Sequence, residues 1–257
     1  MSHTVLILAD IHGNLNALKS VLKDASGEYH EIRVLGDIVG YGPDPGACLE
    51  ILRERGAVMI SGNHDLAACG KMNIENFNDE AQSAIELHRA ILSDDQKDFL
   101  KSLPEILMRG SITMAHGNPQ NPAWGYILDR EMAAEVLKKA ETSLTLVGHT
   151  HIPALYAYNH ENGAQSIPIR YNMEMNYSGV PHLANPGSVG QSRDCDLSAR
   201  YILLNPEKKK ITFRRCSWKT GPVRKRMIAA GYPQSLIDRM APGKTLNIPG
   251  FLSSSSR

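Results

Sequence analysis

The chain is expected to fold as an α/β protein, with strand and helix alternating in its first third and antiparallel strand dominating after residue 152. Three features of the sequence point there. Between residues 4 and 60, short aliphatic and β-branched runs alternate with amphipathic stretches, the pattern of βαβ units with parallel pairing. After Ile152, apolar runs are separated by Asn, Gly, Pro and Lys turns, the texture of antiparallel sheet. Histidine, aspartate and asparagine recur in five short segments that each follow an apolar run or a turn, and functional groups of open α/β sheets gather just beyond strand ends.

The elements follow in order. Residues 5–9 form a strand, 15–22 a helix, 32–35 a strand, 45–55 a helix and 58–60 a strand, by alternation of apolar runs with amphipathic segments. Residues 73–103 read as helical, with Ala81, Ala84, Ile85, Leu87 and His88 on a 3.6-residue period. Segments 106–108 and 112–115 flank Arg109-Gly110, a hairpin signal. Residues 131–140 form a helix and 144–147 a strand. Strands are then expected at 154–158, 166–171, 201–204 and 211–215, with Lys208-Lys209-Lys210 a charged hairpin tip rather than a nucleic-acid patch. Residues 220–240 are helical. With no repeat, linker or low-complexity stretch, residues 1–252 read as one domain, 220–245 being a C-terminal helical extension. Residues 253–257 read as a disordered polar tail.

Composition narrows the class. A chain of 257 residues can bury a sizeable core, and 42% apolar with 21% charged residues is ordinary for a soluble globular protein. The net charge of +1 gives no electrostatic case for a nucleic-acid polymer or an anionic membrane as partner. No window has the length and apolarity of a membrane-spanning helix, and residues 4–9 enter a strand with no signal-peptide pattern. Cys48, Cys69, Cys195 and Cys216 are far apart and form no CxxC pair, so they read as reduced thiols of a cytoplasmic protein.

The five segments are Asp10-Ile11-His12-Gly13-Asn14, Gly36-Asp37, Gly62-Asn63-His64-Asp65, Met114-Ala115-His116-Gly117 and Gly148-His149-Thr150-His151. They supply two carboxylates, four imidazoles and an amide able to ligate metal, and one spare imidazole. Asp10/His12 and His149/His151 are i, i+2 pairs, which in extended backbone point to one side and can each hold one ion. The donor set suits Mn, Fe, Zn, Co or Ni better than Ca, and without cysteine it is no closed structural zinc site. A two-metal site of this kind attracts anionic phosphate and clamps an in-line displacement.

The order DxHGN, GD, GNHD, H, GHTH resembles the calcineurin-like metallophosphoesterase superfamily over residues of about 4 to 215, and Asn185-Pro186-Gly187-Ser188 resembles its small prokaryotic single-domain phosphoesterases. The resemblance implies a four-layer αββα sandwich of two mixed sheets flanked by helices. It implies one metal on Asp10, His12, Asp37 and His151, and a second on Asp37, Asn63, His116 and His149, with Asp37 bridging. It further implies His64 as a catalytic group that stabilises the transition state or protonates the leaving oxygen, and Asp65 as the carboxylate that orients His64. The reaction would be phosphoester hydrolysis by in-line attack of a metal-bridging hydroxide, on a phosphodiester or nucleotide-like small molecule. A phosphomonoester or a dinucleoside polyphosphate is the alternative substrate. Purple acid phosphatases of the superfamily place tyrosine three residues after the bridging aspartate; here that position is Gly40, which argues against a ferric tyrosinate centre.

Other residues carry two readings each. Asn14 is either the N-cap of the following helix or a contact to phosphate. Tyr41 either packs its Gly/Pro-rich loop or touches substrate. Arg193 is read as a substrate contact, against the commoner solvated charge, and Arg130 as the next nearest cation. Trp124 and Tyr126 either stack on an aromatic substrate group or pack the rim. His3, His30, His88, His160 and His182 are read as structural or merely exposed. Two other functions compete: a non-catalytic scaffold, as in a retromer subunit that has lost part of its metal set, and a metallo-β-lactamase-like hydrolase. The complete ligand set disfavours the first, and the missing HxHxDH cluster disfavours the second.

Overall fold

Strand β1 (Val5–Leu8) begins a run of βα units: helix α1 (Leu15–Asp24), strand β2 (Glu31–Val34), helix α2 (Pro45–Glu54) and strand β3 (Val58–Met59). The structure, a computed structural model, describes residues 3–194 and 196–241. Strands β1, β2 and β3 pair in parallel, as the alternating pattern requires. Helices α3 (Asn63–Ala68), α4 (Asp79–Ile91) and α5 (Asp94–Ser102) follow. Strands β4 (Ile106–Arg109) and β5 (Ile112–Ala115) form the expected hairpin, with Gly110 at φ +61°. Next come α6 (Arg130–Lys138), β6 (Leu144–Leu146), β7 (Ala154–Asn159), β8 (Gly163–Ser166), β9 (Glu174–Asn176), β10 (His182–Asn185), β11 (Ala199–Asn205) and β12 (Lys210–Cys216). Helices α7 (Thr220–Ala229) and α8 (Gln234–Arg239) close the described chain.

Two six-stranded sheets result, with orders β3-β2-β1-β11-β12-β9 and β4-β5-β6-β10-β7-β8. Both are mixed. In the first, β1 is parallel to β2 and antiparallel to β11; in the second, β10 is parallel to β6 and antiparallel to β7. The sheets therefore do not divide at residue 152: β9, β11 and β12 return to the N-terminal sheet, and the later half is not purely antiparallel.

Period-two alternation makes β1 the centre of the layering. Val5 and Ile7 face the second sheet and pack with Met114, Leu144, Leu146, Leu155 and Ala184. Leu6 and Leu8 face the other way, against Leu18 and Val21 of α1 and Leu49 and Leu52 of α2. On the far side of the second sheet, Ala133, Val136 and Leu137 of α6 cover Tyr156, Ala164 and Leu183. The layers run helix, sheet, sheet, helix. A fourth cluster lies beside them, where Val223, Met227, Leu236 and Ile237 of the C-terminal helices pack on Ala81, Ala84 and Ile85 of α4 and on Tyr41.

The expected helix over 73–103 is three pieces of different kind. Residues 73–78 are not helical: the Asn73 side chain accepts from Glu75 N, and Asn78 caps α4 by accepting from Ala81 N. Leu92 and Ser93 are extended, and Ser93 opens α5 through a reciprocal capping box with Gln96. The strand expected at 166–171 stops at Ser166, because Ile167 N still donates to Leu155 O but Pro168 has no N–H to continue the ladder. Strands β9 and β10 were not foreseen; both are short, and β10 is fully buried with a histidine at its start. The helical run 220–240 divides at Gly231 (φ +74°) and Pro233. The tail expectation at 253–257, the extension beyond Ala241 and Cys195 lie outside the described residues, while Cys48, Cys69 and Cys216 are free thiols. Among the described residues no helix is long and apolar enough to cross a membrane.

The loop after β10 is clamped to the loop after β1. Val189 N donates to Ala9 O and Gly190 N to Asp10 O, each at 3.0 Å, and a Cβ on Gly190 would lie 1.8 Å from Ile11 O. The obstacle is backbone, so Gly190→Ala should destabilise the fold by about 1–3 kcal/mol, the usual cost of overpacking. Urea unfolding should show a lower midpoint with unchanged slope; an unaltered midpoint would mean that the loop relaxes freely.

Candidate metal centre

Five loops deliver the candidate ligands to one end of the sandwich. Asp10 and His12 follow β1, Asp37 follows β2, Asn63 opens α3 just after β3, His116 follows β5, and His149 and His151 follow β6. All seven side chains are buried. Their ligand atoms form two groups, Asp10/His12/Asp37/His151 and Asp37/His116/His149, within 4.8 Å in each. His149 and His151 therefore point to different groups, contrary to the expectation that an i, i+2 pair holds one ion.

The reason lies in the backbone. Asp10, His12, Asp37, His149 and His151 have φ of 53°, 49°, 52°, 66° and 62°. They are left-handed, not extended, and each such non-glycine residue costs about 1–2 kcal/mol. The kinked loops are held by one another: His12 N donates to Asp37 O at 2.9 Å, Gly13 N to Ile38 O at 2.9 Å and Gly148 N to His116 O at 2.7 Å. Asn185, from the NPGS segment, donates to Gly148 O at 2.7 Å, and Ser188 Oγ donates to Asp10 O at 2.8 Å.

The geometry suits a cation in each group. His12 Nδ1 lies 3.1 Å from Val39 O, and His151 Nδ1 is bonded to Gln191 O. With both Nδ1 protons donated to carbonyls, the two Nε2 lone pairs face each other at 3.0 Å with no proton between them. His116 Nδ1 is likewise bonded to Leu35 O at 2.8 Å, leaving its Nε2 facing His149 Nδ1 at 3.1 Å. Asp37 Oδ2 lies 3.6 Å from His12 Nε2 and 3.3 Å from His116 Nε2, between the groups. Asn63 Oδ1 is buried without a hydrogen-bond partner beside them.

Electrostatics agree. Burial raises the Asp37 carboxyl, but His116, His64 and His12 outweigh it and hold the group below the usual carboxylate range. Burial, aided by Asp37, pushes Asp10 up to about 7. His12, His149 and His151 are lowered, chiefly by burial, and so stay neutral. Burial lowers His116 too, but Asp37 and Asp10 carry it to about 9. Without a cation, two buried carboxylates draw protons into the cluster instead.

His64 lies in the first turn of α3, with its Nδ1 unpartnered and its ring 4.9 Å from that of His12 and 4.6 Å from that of Tyr41. Asp65 does not bond to it. The Asp65 oxygens accept from Gly62 N and Val39 N, both at 3.0 Å, so this carboxylate caps α3 and fastens the Asp37 loop to it. Asn14 caps α1 through Ala17 N and donates to Gly190 O, so both ends of its amide serve the backbone and the capping reading accounts for it. Gly40 has φ +109°, and a Cβ there would lie 2.6 Å from His64 Nδ1 and 2.7 Å from His12 Nδ1. No tyrosine fits at that position. His88, as its bland reading holds, is structural: it accepts from Gly40 N at 2.9 Å and its Nε2 bonds Gly42 O at 2.7 Å.

A cavity of ≈ 380 Å³ opens over the centre, walled by Tyr41, His64, Trp124, Tyr126 and Arg193. Tyr126 stacks on His149 at 4.0 Å, and Trp124 lies 4.7 Å from Phe77. The sequence did not flag Phe77, Asn76, Asn78 or Arg239, which also line it. The three rim residues 76–78 sit in the stretch misread as helix, and Arg239 is remote in sequence. Arg130, expected as the second cation, is exposed and paired with Glu131 instead.

The calcineurin-like phosphoesterase family model matches residues 3–164, and the chain belongs to that family. It is 31% identical to an uncharacterised protein of Methanocaldococcus jannaschii, over 93% of this chain and 98% of that one. It is 29% identical to the symmetrical bis(5'-nucleosyl)-tetraphosphatase of Shewanella baltica, over 62% of this chain and 57% of that one. The crystal structure of a metallophosphoesterase from Sphaerobacter thermophilus superposes with TM-score 0.86 and 34% identity, covering 95% of this chain and 100% of that one.

Chelator-stripped protein should gain thermal stability when Mn or Zn is added, because ions that bind only the folded state stabilise it by mass action. Asp37→Ala removes the one side chain common to both ligand groups. Calorimetric titration should give near two ions per chain for the parent and less than one for Asp37→Ala. Equal stoichiometry in both would remove Asp37 from the ligand set.

Proposed function

We propose that the protein is a dinuclear metal-dependent phosphodiesterase of small, nucleotide-like substrates. The observation that carries the reading is the charge and shape of the cavity. Among the described residues lining it, Arg193 is the arginine with no carboxylate in ion-pair range, whereas Arg239 is held by Glu80. One free cation beside the metals matches a singly charged diester better than a dianionic monoester, and Phe77, Trp124 and Tyr126 offer faces for a base or aryl group.

Asp10, His12, Asp37 and His151 would hold one ion, and Asp37, Asn63, His116 and His149 the other. Two divalent transition ions, of the Mn, Fe, Zn, Co or Ni kind, would supply Lewis-acid polarisation and a nucleophile at neutral pH. Carbonyls of Val39, Leu35 and Gln191 orient the imidazoles by taking their outer protons. Arg193 pairs with the substrate phosphate. His64, pushed down to about 4 chiefly by burial, is neutral at pH 7 and donates one N–H to a phosphoryl oxygen. That favours charge stabilisation over leaving-group protonation. Tyr41, at 2% exposure, packs its ring against those of His12 at 4.7 Å and His64 at 4.6 Å and serves to position them. The free thiols of Cys48, Cys69 and Cys216 and a net charge of only +1 fit a cytoplasmic enzyme of small molecules. The likeness to a tetraphosphatase favours a dinucleoside polyphosphate as the second reading.

Mn-loaded protein should show higher kcat/KM on bis-p-nitrophenyl phosphate than on p-nitrophenyl phosphate; the reverse order would overturn the diesterase reading. Trp124→Ala should raise KM for a nucleoside aryl diester, and an unchanged value would remove stacking. His64→Asn should keep its metal content and lose ~10²–10⁴ in turnover. Loss of metal in that variant would make His64 a ligand.

A further inference from the structure

The two arginines of the cavity differ in their neighbours. Arg193 hydrogen-bonds Tyr126, and its field reaches His12, His64, His149 and His151. It faces the inner, metal-binding end. Arg239 lines the same cavity beside Asn76, Phe77, Asn78 and Ala81, and its field reaches Tyr41. It stands at the outer end, on α8, beyond the residues matched by the family model. Its position is firm. Leu236, Ile237 and Met240 are buried in the cluster with α4, and Tyr232 OH donates to Gly42 O at 3.0 Å.

Glu80, in the first turn of α4, closes directly on Arg239. The two side chains are 26% and 23% exposed. An ion pair so open to water contributes little stability. Its effect on charge is larger. Unpaired, Arg239 would put a second positive group at the cavity mouth, where the walls partly exclude water and a phosphate on the far side of a bound base would meet it. Paired, it contributes no net charge.

We propose that Glu80 is a specificity-determining residue: by neutralising Arg239 it keeps the outer end of the substrate cavity from favouring ligands that carry a second phosphate. The proposal rests on the phosphodiesterase reading of the inner site. It makes the cavity selective by withholding a charge and not by adding a contact.

The test compares equilibrium binding of thymidine 5'-monophosphate and thymidine 3',5'-bisphosphate to Mn-loaded protein by calorimetry. Glu80→Gln should raise the affinity ratio in favour of the bisphosphate on the order of tenfold, and the gain should shrink in high salt. Arg239→Gln should lower the ratio, since it leaves Glu80 uncompensated. The double variant should return to within about twofold of the parent. A charge effect cancels in the double variant, whereas structural damage would accumulate. An unchanged ratio in Glu80→Gln, damage that adds in the double variant, or failure of both nucleotides to bind would overturn the proposal. Nitrophenolate release from bis-p-nitrophenyl phosphate, measured alongside, reports separately on the phosphodiesterase reading. Its absence with the ratios shifted as expected would discard that reading and leave the binding selectivity standing.

Discussion

Five candidate ligand residues sit in left-handed backbone, and much of the architecture around them exists to hold them there. Each conformation is unfavourable by itself, and none is relieved by glycine. The restraint is mutual. The loop after β1 hydrogen-bonds the loop after β2, the turn after β5 bonds that after β6, and the NPGS segment braces both ends through Asn185 and Ser188. The strain lies at the backbone, so the ligand atoms converge before any ion arrives. A cation then meets preset lone pairs and loses little to reorganisation.

That preset cluster imposes its own demand. Asp10 and Asp37 are buried among imidazoles of which burial keeps His12, His149 and His151 neutral, and burial by itself is unfavourable for each carboxylate charge. The fold answers with hydrogen bonds to the outer imidazole nitrogens and with backbone donors, His64 N to Asp37 Oδ1 and His149 N to Asp10, while the nearby buried Asp65 takes the N–H groups of Gly62 and Val39. Outside this shell the cavity changes character. Its walls are aromatic, its cations are few, and the pairing of Arg239 reduces them further.

The metal loops were legible in the sequence because their chemistry is local: an imidazole two residues from a carboxylate, after an apolar run, is visible without knowing the fold. The parallel β1-β2-β3 core was legible for a related reason, since alternating runs encode βαβ units. What escaped was set at long range. The i, i+2 pairs were read as extended, but tertiary hydrogen bonds bend them. Asp65 was read as a partner for His64, but the turn into α3 takes both its oxygens. Residues 73–78 were included in the helix whose period begins at Ala81, yet Asn73 and Asn78 bond their own backbone and leave Phe77 on the cavity wall. Arg239 carried no local signal, because only the packing of α8 on α4 brings it to the site.

The pairing of β1 with β11 has a consequence for how the molecule comes into being. Val5 lies opposite Leu204, and Ile7 opposite Ile202, so the first strand made waits for one of the last. During synthesis, every candidate ligand has left the ribosome before the strand that flanks β1 on its open side. Until then β1 offers an unpaired edge beside the loop carrying Asp10. Such a long loop closure is slow and leaves apolar strand exposed meanwhile. Capture of the nascent chain by chaperones, or mispairing of that edge at high expression, is the vulnerability built into this topology.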